Sequence, residues 1–212
     1  MATKPPLVSF SSSSVVGSRS VASPSASDFA ALAAPQVNHL LPGLHLPAVG
    51  AVGRDRVLAV GAPLALVLAD TRAQAQAAAD LVWADIEELP AVMDGHPGEA
   101  ANLDASVPGN LVATARFGNG SMPQRAPTAQ VCVGLPRVAA SPMEPRAAVV
   151  HWDAGAQQLR AWLSTQTPAR AKLELATALG LAADAVHVIA PDVGGAFGGK
   201  ASVCPEDLML AS

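Results

Sequence analysis

Apolar and polar positions change period several times along the chain, and each change marks an element. Residues 64–69 form an unbroken apolar run, the pattern of a strand buried on both faces. A shorter strand is expected just before it at 57–60, closed by Gly61-Ala62-Pro63. Ala75, Ala78, Ala79, Val82 and Trp83 then recur at helical spacing, which predicts a helix capped by Asp70 or Thr71 and running to about Ala84. Residues 86–92 read as strand or extended chain, broken by Pro90. Two further strands, 147–152 and 159–164, flank the turn residues Asp153-Ala154-Gly155-Ala156 and predict a hairpin. Pro168 opens a helix through Leu179, with Gly180 just past its end and Lys172, Leu173, Leu175, Ala176 and Leu179 as its inward face. A strand at 186–190 and a helix beginning near Pro205 complete the pattern, and Trp83, Trp152 and Trp162 are expected in the core.

The segments without periodicity divide the chain. Residues 1–34 are Ser- and Ala-rich and read as a disordered arm; their basic, acid-poor character also fits a targeting peptide. Residues 35–100 hold the first ordered unit, 101–130 a Pro- and Gly-rich linker, and 131–212 the second unit. Half of the 212 residues are apolar and Tyr is absent, so the core rests on Ala, Val and Leu. A net charge of −4 without a Lys/Arg run excludes a nucleic-acid surface, and no apolar stretch reaches the length of a membrane span. Cys132 and Cys204 are too few and too far apart for an iron–sulfur or zinc site in this chain; two buried or inert thiols are expected rather than a disulfide. His39, His45, His96, His151 and His187 show no metal-ligand spacing.

Residues 191–200, Pro-Asp-Val-Gly-Gly-Ala-Phe-Gly-Gly-Lys, are where chemistry concentrates. Glycines free backbone N–H groups to meet a ligand closely, and a strand before and a helix after make this a ligand-binding arrangement. A flexible turn is the plain alternative. A phosphate loop is another, since Gly194, Gly199 and Lys200 satisfy most of G-x-x-x-x-G-K-[ST], but Ala201 stands where the magnesium-binding hydroxyl belongs. Glu144 and Arg146, on the turn before a strand, read as a structural ion pair.

Two stretches together resemble the molybdopterin-binding large subunit of the xanthine dehydrogenase / aldehyde oxidase / carbon monoxide dehydrogenase family. The first runs from Asp55-Arg56-Val57 through Ala69-Asp70-Thr71 to Glu87-Glu88-Leu89-Pro90-Ala91-Val92 and is similar to that family's a/b hammerhead domain. The second comprises Ser141-Pro142-Met143-Glu144-Pro145-Arg146, Trp162-Leu163-Ser164-Thr165-Gln166-Thr167-Pro168 and the glycine loop, and is similar to the start of the molybdopterin-binding domain. The fold implied is α+β, a hammerhead domain followed by the N-terminal portion of a molybdopterin-binding domain.

By that resemblance Gln166 matches the glutamine that hydrogen-bonds the apical oxo ligand of molybdenum. Gly194, Gly195, Ala196, Phe197, Gly198 and Gly199 match the loop lining the metal and its pterin, with Phe197 as a wall for the substrate. No residue of this chain is expected to ligate the metal directly. The resemblance also implies a small-molecule substrate (an aldehyde or N-heteroaromatic), 2Fe-2S and FAD on partner subunits, and a cytoplasmic location. The family's catalytic glutamate lies beyond the residue matched by Ser212, so catalysis is expected to need a second molybdopterin-domain chain. Ala201 replaces the carboxylate that follows the lysine in purine hydroxylases. A non-catalytic truncated homologue or assembly protein remains the alternative.

Overall fold

The computed structural model describes residues 7–10, 50–53, 56–92, 102–115, 118, 129, 131–135 and 138–212. The rest of the Ser-rich arm, the turns that Pro42-Gly43 and Pro47 predict, and a little under half of the 101–130 linker lie outside the described residues.

These residues form a mixed α+β fold with two small sheets. In the first, β1 (Leu7–Phe10) pairs antiparallel with β2 (Leu66–Ala69) in the register Leu7 to Ala69. The arm read as disordered thus contributes a strand. The physical reason lies in β2, whose backbone N–H and C=O groups need a ladder partner once its side chains are buried. Leu66 and Val67, on opposite faces of β2, are both buried: Val67 packs on Ala78 and Ala79, and Leu66 on Ala51, Val52 and Met209. An apolar run without alternation follows from a strand with a core on each side.

Helix α1 (Arg72–Asp80) starts where the sequence places it: the Thr71 hydroxyl accepts the Gln74 N–H and the Gln74 side chain accepts the Thr71 N–H. It ends four residues early, with Leu81 as its C-cap, so Trp83 falls off the helical face and is 70% exposed. The strand expected at 57–60 does not form. Ala62 N–H instead bonds Ala59 C=O at 3.3 Å, turning the chain and leaving Val60 in solvent. Residues 86–92 likewise join no ladder.

The second sheet has the order β3-β4-β5, built from β3 (Ala148–Asp153), β4 (Gln158–Leu163) and β5 (Val186–Ile189). β3 and β4 form the expected hairpin, its turn held by the Asp153 carboxylate accepting Gly155 and Ala156 N–H. β4 and β5 are parallel, which demands a crossover, and α2 (Pro168–Leu179) supplies it. Gly180 closes α2 at φ 66°, the left-handed position that its type predicts. The core lies between this sheet and two helices, α2 and α3 (Pro205–Ala211), and is made by Leu159, Ala161, Leu163, Ala171, Leu175, Ala176, Val186, Val203 and Leu208.

Two expectations about that core are corrected. The inward face of α2 is Ala171, Glu174, Leu175 and Ala176, while Leu173 is 58% exposed. The face is turned by one position because a buried carboxylate, Glu174, occupies part of it. Trp162 alternates with buried Ala161 and Leu163 and therefore points to the other side of the sheet, opposite Val149 and Ile189. Trp152 is also exposed, on the outer strand beside the hairpin turn.

Candidate functional site

β5 ends at Ile189 and delivers the chain into the glycine loop, which α3 follows only after Pro205. Positive φ occurs at Gly195 (102°), Phe197 (49°) and Gly198 (87°). Gly195 is closed to other residues on two counts, space and backbone. A Cβ there would lie 3.3 Å from both the Phe197 ring and Pro142 Cβ, on a backbone that L side chains rarely adopt. Gly194 is required for a different reason: a Cβ would meet Glu144 Cβ at 2.7 Å.

That close approach belongs to a tight polar cluster. A single Glu144 carboxylate oxygen, Oε2, accepts hydrogen bonds from Gly194 N–H (2.8 Å), Lys200 Nζ (2.7 Å) and Ser164 Oγ (3.0 Å). Lys200 Nζ donates as well to the Glu144 backbone carbonyl, and the lysine is 1% exposed. Its own carbonyl accepts from Gln166 N–H (3.2 Å) and Thr165 Oγ1 (3.1 Å), and Thr167 Oγ1 donates to Ala201 C=O (2.8 Å). Gln166 is therefore laced to the end of the loop through its backbone, with its side chain exposed.

A second group fixes the loop's exit. The Arg146 guanidinium donates to the carbonyls of Gly199 (2.7 Å) and Ser202 (3.2 Å) and to the Asp207 carboxylate (2.9 Å) at the start of α3. Glu174, buried on α2, accepts from Ser202 Oγ, Val203 N–H and Arg170 Nε. Glu144 and Arg146 are thus not paired with each other, as the sequence suggested; each has its partner in or just after the loop.

Inside this frame the loop keeps donors in reserve. Gly194 N–H goes to Glu144 and Gly199 N–H to Ala196 C=O, but the N–H groups of Gly195, Ala196, Phe197 and Gly198 have no acceptor among the described residues. Phe197 is 79% exposed beside them. Such a run of free amides in a turn is suited to an anionic ligand. Lys200 is not: buried and paired with Glu144, it cannot reach a bound phosphate, which removes the phosphate-loop reading.

The electrostatics follow from the same contacts. The Lys200 ammonium, the Gly194 N–H and the Ser164 hydroxyl hold the Glu144 carboxyl below its ordinary range. A carboxyl depressed in the native state stabilises the fold above its unfolded-state pKa, about 4.3 for Glu, and that contribution is lost as pH falls through the native value. Thermal unfolding of the wild type should consequently lose stability below about pH 4.3 more steeply than a Glu144→Gln variant does. Parallel acid profiles for the two proteins would contradict the assignment. Burial, with the Asp207 carboxylate close by, pushes the Cys204 thiol up to about 12, so it is inert; Cys132, expected to be buried or inert, is exposed.

Among the residues singled out from sequence, the loop and Gln166 are brought together. Sequence reasoning missed Lys200 as a buried anchor bound to Glu144 and Thr165, and missed Thr167, Glu174 and Asp207, which hold the chain at 201–204 just after it. A lysine flanked by glycines and small apolar residues was a usable signal, because a buried ammonium requires a carboxylate partner.

Residues 104–212 match the molybdopterin cofactor-binding domain family. The chain is 35% identical, over 75% of its length, to the nicotine 6-hydroxylase large subunit of Paenarthrobacter nicotinovorans. It is 31% identical, over 74% of its length, to the gamma subunit of the 6-hydroxypseudooxynicotine dehydrogenase complex of the same organism. It spans 20% of the length of each of these curated relatives. The crystal structure of quinoline 2-oxidoreductase from Pseudomonas putida 86 aligns with a TM-score of 0.72 and 29% identity, over 97% of this chain and 28% of that one. Because the matched stretch takes in just over half of the 212 residues and contains the whole glycine loop, this protein belongs to the molybdopterin cofactor-binding domain family.

Proposed function

We propose that this chain is the molybdenum-cofactor-binding portion of an oxidoreductase acting on an aldehyde or an N-heteroaromatic ring, completed by further polypeptide. The observation that carries the reading is the run of free amides at 195–198 inside the matched family stretch, with Gln166 tied to the same loop. Those donors fit an anionic pterin cofactor: they are neutral, they sit on a loop whose glycine permits close approach, and no lysine competes for the anion. Nicotine and quinoline, the compounds in the names of two relatives, are both N-heteroaromatic, which favours that substrate class.

When bound, the molybdenum cofactor supplies two-electron redox chemistry. The residues of this chain hold and orient it. The amides of Gly195, Ala196, Phe197 and Gly198 would donate to its anionic oxygens, Gln166 would donate from its side-chain amide, and Phe197 would offer an apolar wall to a flat substrate. No general base stands among them, so proton removal falls to the glutamate on the completing polypeptide. Partner subunits would carry the 2Fe-2S and FAD groups that take up its electrons. In this reading residues 35–100 form the hammerhead domain and 131–212 the first part of the cofactor domain, in a cytoplasmic complex.

Gentle affinity purification from the native host, with molybdenum quantified and co-purifying chains identified by mass, tests the proposal. Near-stoichiometric molybdenum together with a second chain is the expected result. Absence of both would instead favour a non-catalytic homologue. In a competent complex, Gln166→Ala should lower turnover about tenfold, the worth of one hydrogen bond of roughly 1.4 kcal/mol, without changing the melting temperature. Unchanged turnover would remove Gln166 from the reaction.

A further inference from the structure

We propose that Glu144 is a positioning residue that ties both ends of the glycine loop and the Gln166 strand end to one carboxylate oxygen, so that the 195–198 amides and Gln166 face a ligand as one rigid unit. The inference rests on the functional reading above for the identity of the ligand, but its geometry stands without it.

The connectivity is unusual in its economy. Gly194 opens the run of loop amides, Lys200 closes it, and Ser164 lies two residues before Gln166; all three donate to Glu144 Oε2. Glu144 N–H also donates to Gly194 C=O at 3.3 Å, so backbone and side chain hold the same end of the loop. The loop's far end is doubly held too, because Lys200 reaches Glu144 with its side chain and Gln166 and Thr165 with its carbonyl. Donors from two segments, Ser164 and the 194–200 loop, converge on one atom of a third. A surface ion pair would not need a lysine that is 1% exposed, or a Gly194 whose missing Cβ makes room for the Glu144 chain. Glu144 itself stays 33% exposed, so removing its carboxylate opens no sealed cavity.

A merely structural role, neutralising the buried ammonium, makes a different prediction from a positioning role, and one double variant separates them. Glu144→Ala alone leaves Lys200 buried and unpaired and is expected to lower the melting temperature. Glu144→Ala combined with Lys200→Met removes the charge and the link together, so that no unpaired ammonium stays buried. If Glu144 only balances charge, that double variant behaves as wild type throughout. If Glu144 positions the loop, the double variant recovers the melting temperature but not the loop.

The experiment is amide hydrogen exchange by mass spectrometry on the full-length chain, with peptides covering 148–163, 168–179 and 191–203, alongside molybdenum content per chain. The expected result for the double variant is wild-type exchange in the sheet and α2, at least tenfold faster exchange of the hydrogen-bonded amides within 191–203 (Gly194, Gly199 and Ala201), and a fall in retained molybdenum. Wild-type exchange across 191–203 in the double variant would overturn the proposal, as would fast exchange spread equally over all three regions. Exchange is read without any cofactor. Should wild-type protein carry no molybdenum, the functional reading fails while the exchange result still decides the role of Glu144.

Discussion

Gly195→Val is expected to cut the molybdenum content of the purified protein at least tenfold while the sheet and α2 remain folded. The argument is local. Gly195 has a φ of 102°, and a β-branched residue is among the least tolerant of that backbone. Forcing an L-residue into left-handed conformation costs about 1–2 kcal/mol, already near the 1.4 kcal/mol that corresponds to a tenfold change in an equilibrium. The new Cβ would also sit 3.3 Å from the Phe197 ring on one side and Pro142 on the other, tighter than ordinary contact. The loop's relief is to rotate, which moves the 195–198 amides from their present places. Elemental analysis of molybdenum per chain, with circular dichroism as the control for folding, reads this directly. Normal loading in a folded variant would mean that the loop does not touch the cofactor.

Leu175→Ala should destabilise the fold by about 2–5 kcal/mol, the range for truncating a fully buried leucine. Leu175 is 0% exposed and belongs to the cluster of Leu159, Ala161, Leu163, Val186 and Leu208 that joins α2 to the sheet and α3. Its alanine-rich neighbours have few long side chains able to swing into the vacated space, which places the cost toward the upper part of that range. Against a total stability of about 5–15 kcal/mol, this is a large fraction. Leu173→Ala, on the exposed side of the same helix, should stay within about 0.5 kcal/mol. Urea unfolding midpoints of the two variants, compared at similar m-values, test the register of α2. Equal shifts would mean that the helix is turned differently from the structure described.

The contrast between those two leucines shows what was readable in the sequence. The limits of α2 were, because Pro168 and Gly180 act locally: one lacks an N–H the first turn does not use, the other accepts left-handed φ. The hairpin was readable from Asp153 and its neighbours for the same reason. Which face of α2 turns inward was not, because Glu174 is buried by partners at 202 and 203 that no spacing announces. The strand at Leu7–Phe10 was hidden likewise, since its pairing with β2 crosses most of the first half of the chain. At the site, the glycines and Gln166 carried local or family signals. The Glu144–Lys200 pair, separated by 56 positions, is visible only once the chain is folded. Val57–Val60 erred in the opposite direction: β-branched residues suggested a strand, but a strand needs a partner, and the turn at Ala59–Ala62 denies it one.

The burial of Lys200 against Glu144 leaves the free amides of the loop as dipoles, with no unpaired ammonium beside them. Sites lined by free lysines or arginines attract anions through a field that dissolved ions weaken, with a screening length of about 10 Å at 0.1 M salt. A cradle of amides acts only at contact and has almost no field to weaken. Ligand retention by this protein should therefore depend less on ionic strength than it would at a site lined by free lysines or arginines.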